Sequence, residues 1–77
     1  MLNETEKKEF WKMLRRIGMN LRRVRKERKK SQEEFSDILG IDYRYYRKLE
    51  NGDQPISMRS LFRISRRSKI SIKELVQ

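Results

Sequence analysis

Hydrophobic residues recur along the first third of the chain at alternating steps of four and three. The series runs Phe10, Leu14, Ile17, Leu21, Val24. Because an α-helix completes a turn in about 3.6 residues, these side chains share one face, and the spacing predicts a helix whose apolar stripe packs into a core. Gly18 lies inside this helix, where glycine is unfavourable, so we expect a bend or a restart there. Trp11 and Met19 lie off the stripe and are expected either to cover the last helix or to contact a second subunit.

Polar residues that cap helices precede each of the other hydrophobic clusters. Asn3, Ser31 and Ser71 each stand three residues before a glutamate, which is the spacing of a capping box. Asp42 and Ser57 are further candidates for the N-cap position, because their short side chains can accept a hydrogen bond from a free amide of the first turn. These five caps predict five helix starts.

Glycines mark where two of the predicted helices end. Gly40 closes a helix over residues 32–39, and Gly52 follows a helix over residues 43–50. A fourth helix is predicted after Ser57 and a short fifth one after Ser71. The residues expected to point inward from these helices are Phe35, Ile38, Leu39, Met58, Leu61, Phe62, Ile64, Ile72, Leu75, Val76. With no strand alternation anywhere, the pattern predicts a compact all-α domain of five helices.

Composition narrows the possible functions. The 77 residues suffice for one small domain, and they include no cysteine and no histidine. The usual general base and the usual metal ligands are therefore missing, so we expect a protein that is not an enzyme and needs neither a metal nor a cofactor. We find no apolar run that would span a membrane and no secretion signal, which favours a cytoplasmic protein.

Charge indicates the kind of partner. The formal net charge is +10, from 21 Lys and Arg against 11 Asp and Glu. Residues 7–30 hold twelve of the basic residues and only two acids, whereas residues 31–42 hold four acids and no basic residue. Such an excess exceeds what solubility requires and favours a polyanionic partner, with nucleic acid ahead of an anionic membrane surface.

The predicted helices 32–39 and 43–50, joined by a short turn at Gly40, have the plan of a helix-turn-helix unit. The second helix of such a unit enters the major groove of duplex DNA, and the first crosses the DNA backbone. Here the second helix offers Tyr43, Arg44, Arg47 and Lys48. The free amides at the start of the first helix, beside Ser31 and Gln32, can hold a phosphate.

Three short segments carry a resemblance to a known family. Ser31-Gln32-Glu33-Glu34-Phe35, Leu39-Gly40-Ile41 and Leu49-Glu50-Asn51-Gly52 closely resemble, at these separations, the phage repressor and Cro family of XRE-like helix-turn-helix domains. The resemblance covers residues 17–76, with the motif at about 32–51, and leaves residues 1–16 as an N-terminal helical extension. It implies a lambda-repressor-like five-helix fold, sequence-specific binding of double-stranded DNA, a homodimer on a palindromic or pseudopalindromic operator, and a role in transcription.

The resemblance also implies roles for individual residues. Tyr43, Arg44 and Lys48 fall where the family reads base edges, and Arg47 falls at flanking bases or phosphate. The positions expected to contact phosphate are Ser31, Gln32, Asp42, Tyr45, Asn51. Arg44 as a phosphate contact, and Tyr43 and Tyr45 as residues that pack on sugars or merely shield the helix, stay open as alternatives.

Further positions are implied to have structural roles. Arg25 and Glu50 match an ion pair between the first helix and the recognition helix. Tyr46 departs from the family, which has isoleucine or valine there, so its hydroxyl needs a partner or an exit to solvent. Because the recognition helices must stay free, the dimer contact is expected on the C-terminal side of the domain, with the candidates Phe62, Ile70, Ile72, Val76 and, from the extension, Trp11.

Several biological settings fit this reading. The chain resembles stand-alone regulators, promoter-binding antitoxins, and the controller proteins of restriction–modification systems, which share its length, an aromatic residue at Tyr45 and the Ile56-Ser57 segment. A nonspecific basic module for nucleic acid or a membrane surface is the alternative of another class. Contact with a toxin or with RNA polymerase stays open.

Overall fold

The computed structural model describes all residues from 1 to 77 and contains five α-helices. They are α1 (Glu4–Glu27), α2 (Gln32–Leu39), α3 (Tyr43–Asn51), α4 (Met58–Ser68) and α5 (Ile72–Val76). The predicted all-α class, the number of helices and their order are confirmed. None of the five helices combines the length and the apolar character needed to cross a bilayer.

The helix starts follow the predicted caps. Asn3 and Ser31 form complete capping boxes, in which each side chain accepts from the amide three residues on and the glutamate there accepts from the cap amide. Ser71 makes only the first of these two hydrogen bonds, from the amide of Glu74 at 3.1 Å, so the predicted third box is half formed. Gly40 and Gly52 close α2 and α3 in the left-handed conformation, with φ values of 67° and 73°.

Helix α1 packs on α3 and α5, α2 packs on α3 and α4, and α4 packs on α5, with the core enclosed between them. The core consists of Ile17, Leu21, Val24, Phe35, Leu39, Tyr46, Leu49, Leu61, Ile64, Ile70 and Leu75. Leu14 is buried beside this cluster, while Phe10 at the start of the predicted stripe is only half-buried.

Three residues predicted to point inward lie at the surface. Ile38, Met58 and Phe62 are 43%, 72% and 58% exposed, so their prediction as core residues was wrong. Each short helix buries a narrow stripe, and the residue beside a buried one is turned about 100° away from it. Conversely, Ile70 was predicted at the dimer surface but is 7% exposed and belongs to the monomer core.

Helix α1 runs through Gly18 without interruption, so the predicted restart of the helix there was wrong. A Cβ atom at Gly18 would lie 2.6 Å from the carbonyl oxygen of Leu49 and closer still to that of Glu50. At the end of α3, a Cβ atom at Gly52 would lie 2.9 Å from the Cα of Arg15. The two glycines thus let the backbones of α1 and α3 approach closely, and this contact sets the position of α3.

Candidate nucleic-acid interface

Helix α3 divides its residues between a core side and a solvent side. Tyr46 and Leu49 are buried, whereas Tyr43, Arg44, Arg47 and Lys48 are exposed. At about 100° per residue, positions 43, 44, 47, 48 and 51 fall within about 140° of one another. The structure therefore brings the four predicted base-reading residues and Asn51 onto one exposed face, which we call the α3 face.

Tyr43, on the α3 face, and Tyr45, beside it, differ in their contacts. The guanidinium of Arg47 lies over the ring of Tyr43, 5.6 Å from its centroid, so this cation–π pair is already present in the free protein. Tyr45 is half-buried against the core, and its hydroxyl accepts a hydrogen bond from the amide of Ser57 at 3.3 Å. Tyr45 therefore ties α3 to the start of α4.

Asp42 and Ser31, both predicted to contact phosphate, serve as helix caps. A carboxylate oxygen of Asp42 accepts from the amide of Tyr45 at 3.1 Å, and the hydroxyl of Ser31 accepts from the amide of Glu34 at 3.0 Å. The backbone hydrogen bond to the Glu34 carboxylate holds the pKa of that group below its usual range. The amides of Gln32 and Glu33, the other two of the first turn of α2, have no acceptor within the helix, which leaves them free for an external anion.

The predicted ion pair between α1 and α3 is present and largely buried. Nε of Arg25 lies 2.9 Å from Oε2 of Glu50, and Nη2 lies 2.7 Å from Oε1. The two side chains are only 11% and 2% exposed. The remaining nitrogen of Arg25, Nη1, donates to the carbonyl oxygen of Lys30 at 2.9 Å, which joins the α1–α2 turn to the same site.

Two further donors complete this site, and the sequence analysis, which named both residues, did not connect either of them with Glu50. The hydroxyl of Tyr46 donates to Oε2 of Glu50, and Nε2 of Gln32 donates to Oε1 at 3.2 Å. The four residues Gln32, Arg25, Tyr46 and Glu50 form what we call the Glu50 network. No buried side-chain nitrogen or oxygen in the protein lacks a hydrogen-bond partner. The contact between Tyr46 and Glu50 could have been predicted from their spacing, because residues four positions apart are neighbours on a helix.

The Glu50 network holds one negative charge inside the protein. Burial by itself would raise the pKa of the Glu50 carboxyl, but the hydrogen bonds from Arg25, Tyr46 and Gln32 outweigh it, and the pKa lies below its usual range. Burial and the bond to Glu50 raise the pKa of Tyr46, so the phenol stays protonated. The hydrogen bond to Glu50 also raises the pKa of Arg25, and the pair stays charged at neutral pH.

An open polar groove of about 270 Å³ borders the turn between α2 and α3. It is lined by Gly40, Ile41, Asp42, Tyr45, Arg59, Ser60 and Arg63. Nη1 of Arg63 donates to the carbonyl oxygen of Gly40 at 2.9 Å and so braces the turn from α4. Arg59 is an exposed cation beside the start of α3 that sequence reasoning did not single out, because only the fold brings α4 next to this turn.

The predicted dimer residues lie in different environments. Phe62 is 58% exposed beneath the guanidinium of Arg66, Trp11 is 37% exposed on α1, and Ile72 and Val76 are half-buried against the core. The end of α5 is held within the monomer, because Nδ2 of Asn20 donates to the carbonyl oxygens of Leu75 and Gln77 at 2.9 and 3.0 Å.

Comparison with known proteins gives consistent findings. Residues 21–75 match the family model described as helix-turn-helix. The control protein C.MunI from a Mycoplasma species is 38% identical over 61 residues, which cover 78% of this chain and 82% of that protein. The crystal structure of the restriction-modification controller protein C.AhdI from Aeromonas hydrophila superposes with a TM-score of 0.74 at 27% identity, covering 80% of this chain and 94% of that one.

Proposed function

The chain belongs to the helix-turn-helix family of DNA-binding transcription regulators, and we propose that it is the controller protein of a restriction–modification system. In this role it binds duplex DNA ahead of the genes of such a system, in the cytoplasm, and regulates their transcription without acting as an enzyme. The observation that carries the proposal is the match to C.MunI, a control protein, over most of both chains. The likeness to a second controller protein, C.AhdI, supports it.

The α3 face supplies the sequence reading in this proposal. Arg44 carries a free guanidinium at the first turn of α3, where it can donate two hydrogen bonds to the O6 and N7 atoms of guanine. Tyr43 and Arg47 approach the bases together, as the cation–π pair that is present in the free protein. Lys48, one helical turn after Arg44, is the fourth base-reading residue. A major groove about 12 Å wide accepts a helix with these side chains.

Backbone contacts orient the α3 face on the duplex. The free amides at the start of α2, the second amide hydrogen of Gln32 and the side chain of Asn51 supply phosphate donors on the two sides of α3. Gln32 reaches its phosphate while bonded to Glu50, so the Glu50 network orients it. Asp42 acts as a helix cap, and its carboxylate has no hydrogen to donate to a phosphate. Tyr45 accepts a hydrogen bond from the amide of Ser57, which leaves its own hydroxyl hydrogen free to donate to a phosphate.

A homodimer completes the proposal. One unit of this size reads one half-site, and two-fold dimers place their recognition helices about one helical turn of DNA apart. Met58 and Phe62 are exposed on α4 one turn from each other, at 72% and 58%. We assign the dimer contact to this side of α4, together with Ile72 and Val76 of α5, because contiguous exposed apolar surface is typical of protein–protein contact sites.

Selection of bound duplexes from a random pool tests the function. We expect a two-fold symmetric sequence whose best genomic matches precede the gene of this protein and neighbouring restriction or methyltransferase genes. Matches ahead of a toxin gene would identify an antitoxin instead, and matches with no such neighbours would identify a stand-alone regulator. Recovery of no sequence preference would contradict the assignment to base reading altogether.

A further inference from the structure

Five exposed cations form a row along one side of α1. They are Lys8, Lys12, Arg15, Arg22 and Lys26, here called the α1 cationic row. At about 100° per residue they fall within about 80° of one another, and at about 1.5 Å per residue they extend over roughly 27 Å. None of the five takes part in a salt bridge, because the ion pairs of the protein involve Lys7, Arg23 and Arg25. The row therefore presents positive charge that no group of the protein neutralises.

The α1 cationic row is held rigidly beside the recognition helix. Arg15 lies against Gly52, Gly18 lies against the carbonyl of Leu49, and Arg25 pairs with Glu50. Gly18 and Arg25 are about a quarter turn from the centre of the row, whereas the core stripe is on the far side of α1. The row is thus next to the side of α1 that packs on α3, and it faces solvent.

The N-terminal part of the row projects past the end of α3. From Arg15, at the cap of α3, to Lys8 the helix advances about 10 Å. An open groove here is lined by Lys7, Lys8, Trp11, Lys12 and Arg15, so four cations surround one aromatic ring. Phe10 meets Trp11 edge to face at 5.7 Å and supports the ring from the core side. This surface precedes residue 21, where the match to the helix-turn-helix family begins.

We infer that the α1 cationic row binds the phosphate backbone of duplex DNA outside the half-site read by the α3 face. The inference rests on the proposed DNA reading by α3, since the contact between Arg15 and Gly52 places the N-terminal part of the row, with Lys8 and Lys12, beyond the end of the recognition helix. Duplex DNA carries one negative charge for about 1.7 Å of its axis, and a straight row of roughly 27 Å matches such a long polyanion better than a single phosphate. The extension of α1 therefore lengthens the DNA footprint at both ends of a dimer.

Binding to two duplexes tests the inference. One duplex carries only the two selected half-sites, and the other adds about 10 bp of unrelated sequence on each side. Wild-type protein should bind the longer duplex at least tenfold more tightly. The double variant Lys8→Gln/Lys12→Gln should bind the short duplex as the wild type does and lose the gain from the flanks. Its slope of log K against log salt on the long duplex should fall by about 1.8 for each subunit, because each phosphate contact contributes about 0.9.

Matched controls make the result specific to the row. Lys69→Gln/Lys73→Gln removes the same charge from exposed positions at the other end of the chain and should keep the gain from the flanks. Trp11 is the single tryptophan of the protein, so its fluorescence should change with the long duplex and not with the short one. Circular dichroism should show unchanged helix content, since Lys8 and Lys12 are exposed.

Three results would overturn the inference. Equal binding of wild-type protein to both duplexes, or equal losses for both double variants, would show that the row makes no contact with the flanks. Unchanged binding of Lys8→Gln/Lys12→Gln to the long duplex would point to an acidic protein partner instead. In these cases preference for the selected half-sites over scrambled ones would persist, whereas loss of that preference in wild-type protein would mean that the α3 reading itself is wrong.

Discussion

The hydroxyl of Tyr46 donates a hydrogen bond of 2.5 Å to Oε2 of Glu50, one helical turn further along α3. Tyr46 is fully buried and packs edge to face on Phe35 of α2, with ring centroids 5.9 Å apart. The same carboxylate takes two hydrogen bonds from Arg25 of α1. One acidic side chain therefore connects α1 to the inner side of the recognition helix, and the interior tyrosine is satisfied without reaching solvent.

Removing that hydroxyl should destabilise the domain. Tyr46→Phe deletes one donor to a buried carboxylate, and a hydrogen bond to a charged group contributes about 1.5–3 kcal/mol. We expect the Tm to fall by about 10 °C, because 1 kcal/mol corresponds to about 4–8 °C in a domain of this size. Tyr43→Phe is the control, since Tyr43 is exposed on the α3 face and should melt like the wild type. Equal melting of the two variants would contradict a stabilising role for the Tyr46 hydroxyl.

Breaking the buried ion pair should lower the free energy of unfolding by more than the loss of the Tyr46 hydroxyl does. Glu50→Ala leaves the guanidinium of Arg25 buried without its carboxylate, and such a loss destabilises by about 3–5 kcal/mol. Unfolding in urea should show this loss, and DNA binding should weaken because Gln32 loses its anchor. Glu27→Ala breaks an exposed pair with Arg23 at 3.5 Å and should change stability by less than about 1 kcal/mol. If both variants unfold at the same urea concentration, the Glu50 network contributes nothing beyond a surface pair.

Stability should fall at acidic pH through Glu50. Its pKa is lower in the folded protein than in the unfolded chain, where a glutamate titrates near pH 4.3. As pH drops below about 4.3, the unfolded chain takes up a proton before the folded protein does, so this contribution is complete above that pH and is lost as pH falls through the folded pKa. Thermal melts between pH 3 and 7 should therefore show a steeper acid loss for the wild type than for Glu50→Gln. Parallel curves would contradict the lowered pKa.

Two single variants should distinguish residues that read bases from residues that only attract the DNA backbone by their charge. Arg44→Ala should cost about 1–3 kcal/mol on the selected site and relax the preference at one base pair in each half-site. Lys26→Ala should weaken binding to selected and scrambled duplexes alike and reduce the salt slope by about 0.9 for each subunit. Fluorescence anisotropy at one salt concentration measures the affinities for the two duplexes, and a series of salt concentrations gives the slope. An equal loss on both duplexes for Arg44→Ala would make Arg44 a phosphate contact and move the reading to Tyr43, Arg47 or Lys48.

The proposed dimer should be visible by sedimentation. At micromolar concentration the protein should have about twice its chain mass of 9.6 kDa. Phe62→Asp places a charge in the apolar contact on α4 and should yield the monomer without loss of helix content, because Phe62 is exposed in the monomer. Met19→Asp introduces the same charge at an exposed methionine of α1 and should leave the dimer intact. Dimers of Phe62→Asp would exclude this side of α4 as the contact.

The sequence by itself determined the helices and the organisation of the reading unit. Asn3, Ser31, Asp42 and Ser57 begin helices where predicted, because an N-cap acts through a hydrogen bond to an amide two or three residues away. Because the two partners of such a hydrogen bond are close in the sequence, their spacing is enough to predict it. The ion pair between Arg25 and Glu50 could also be predicted from the sequence, because the chain aligns with a family motif that has an arginine and a glutamate at these positions.

Only the tertiary structure decided which faces meet. Gly18 lies inside the uninterrupted helix α1, where a side chain would collide with the carbonyl oxygens of Leu49 and Glu50, and no residue near Gly18 in the sequence indicates that contact. Ile70 is buried while Phe62 is exposed, although both are large apolar residues near the same chain end. Periodicity states which residues share a side of one helix, but burial depends on the partner helix and its angle of approach, which arise from the packing of all five helices together.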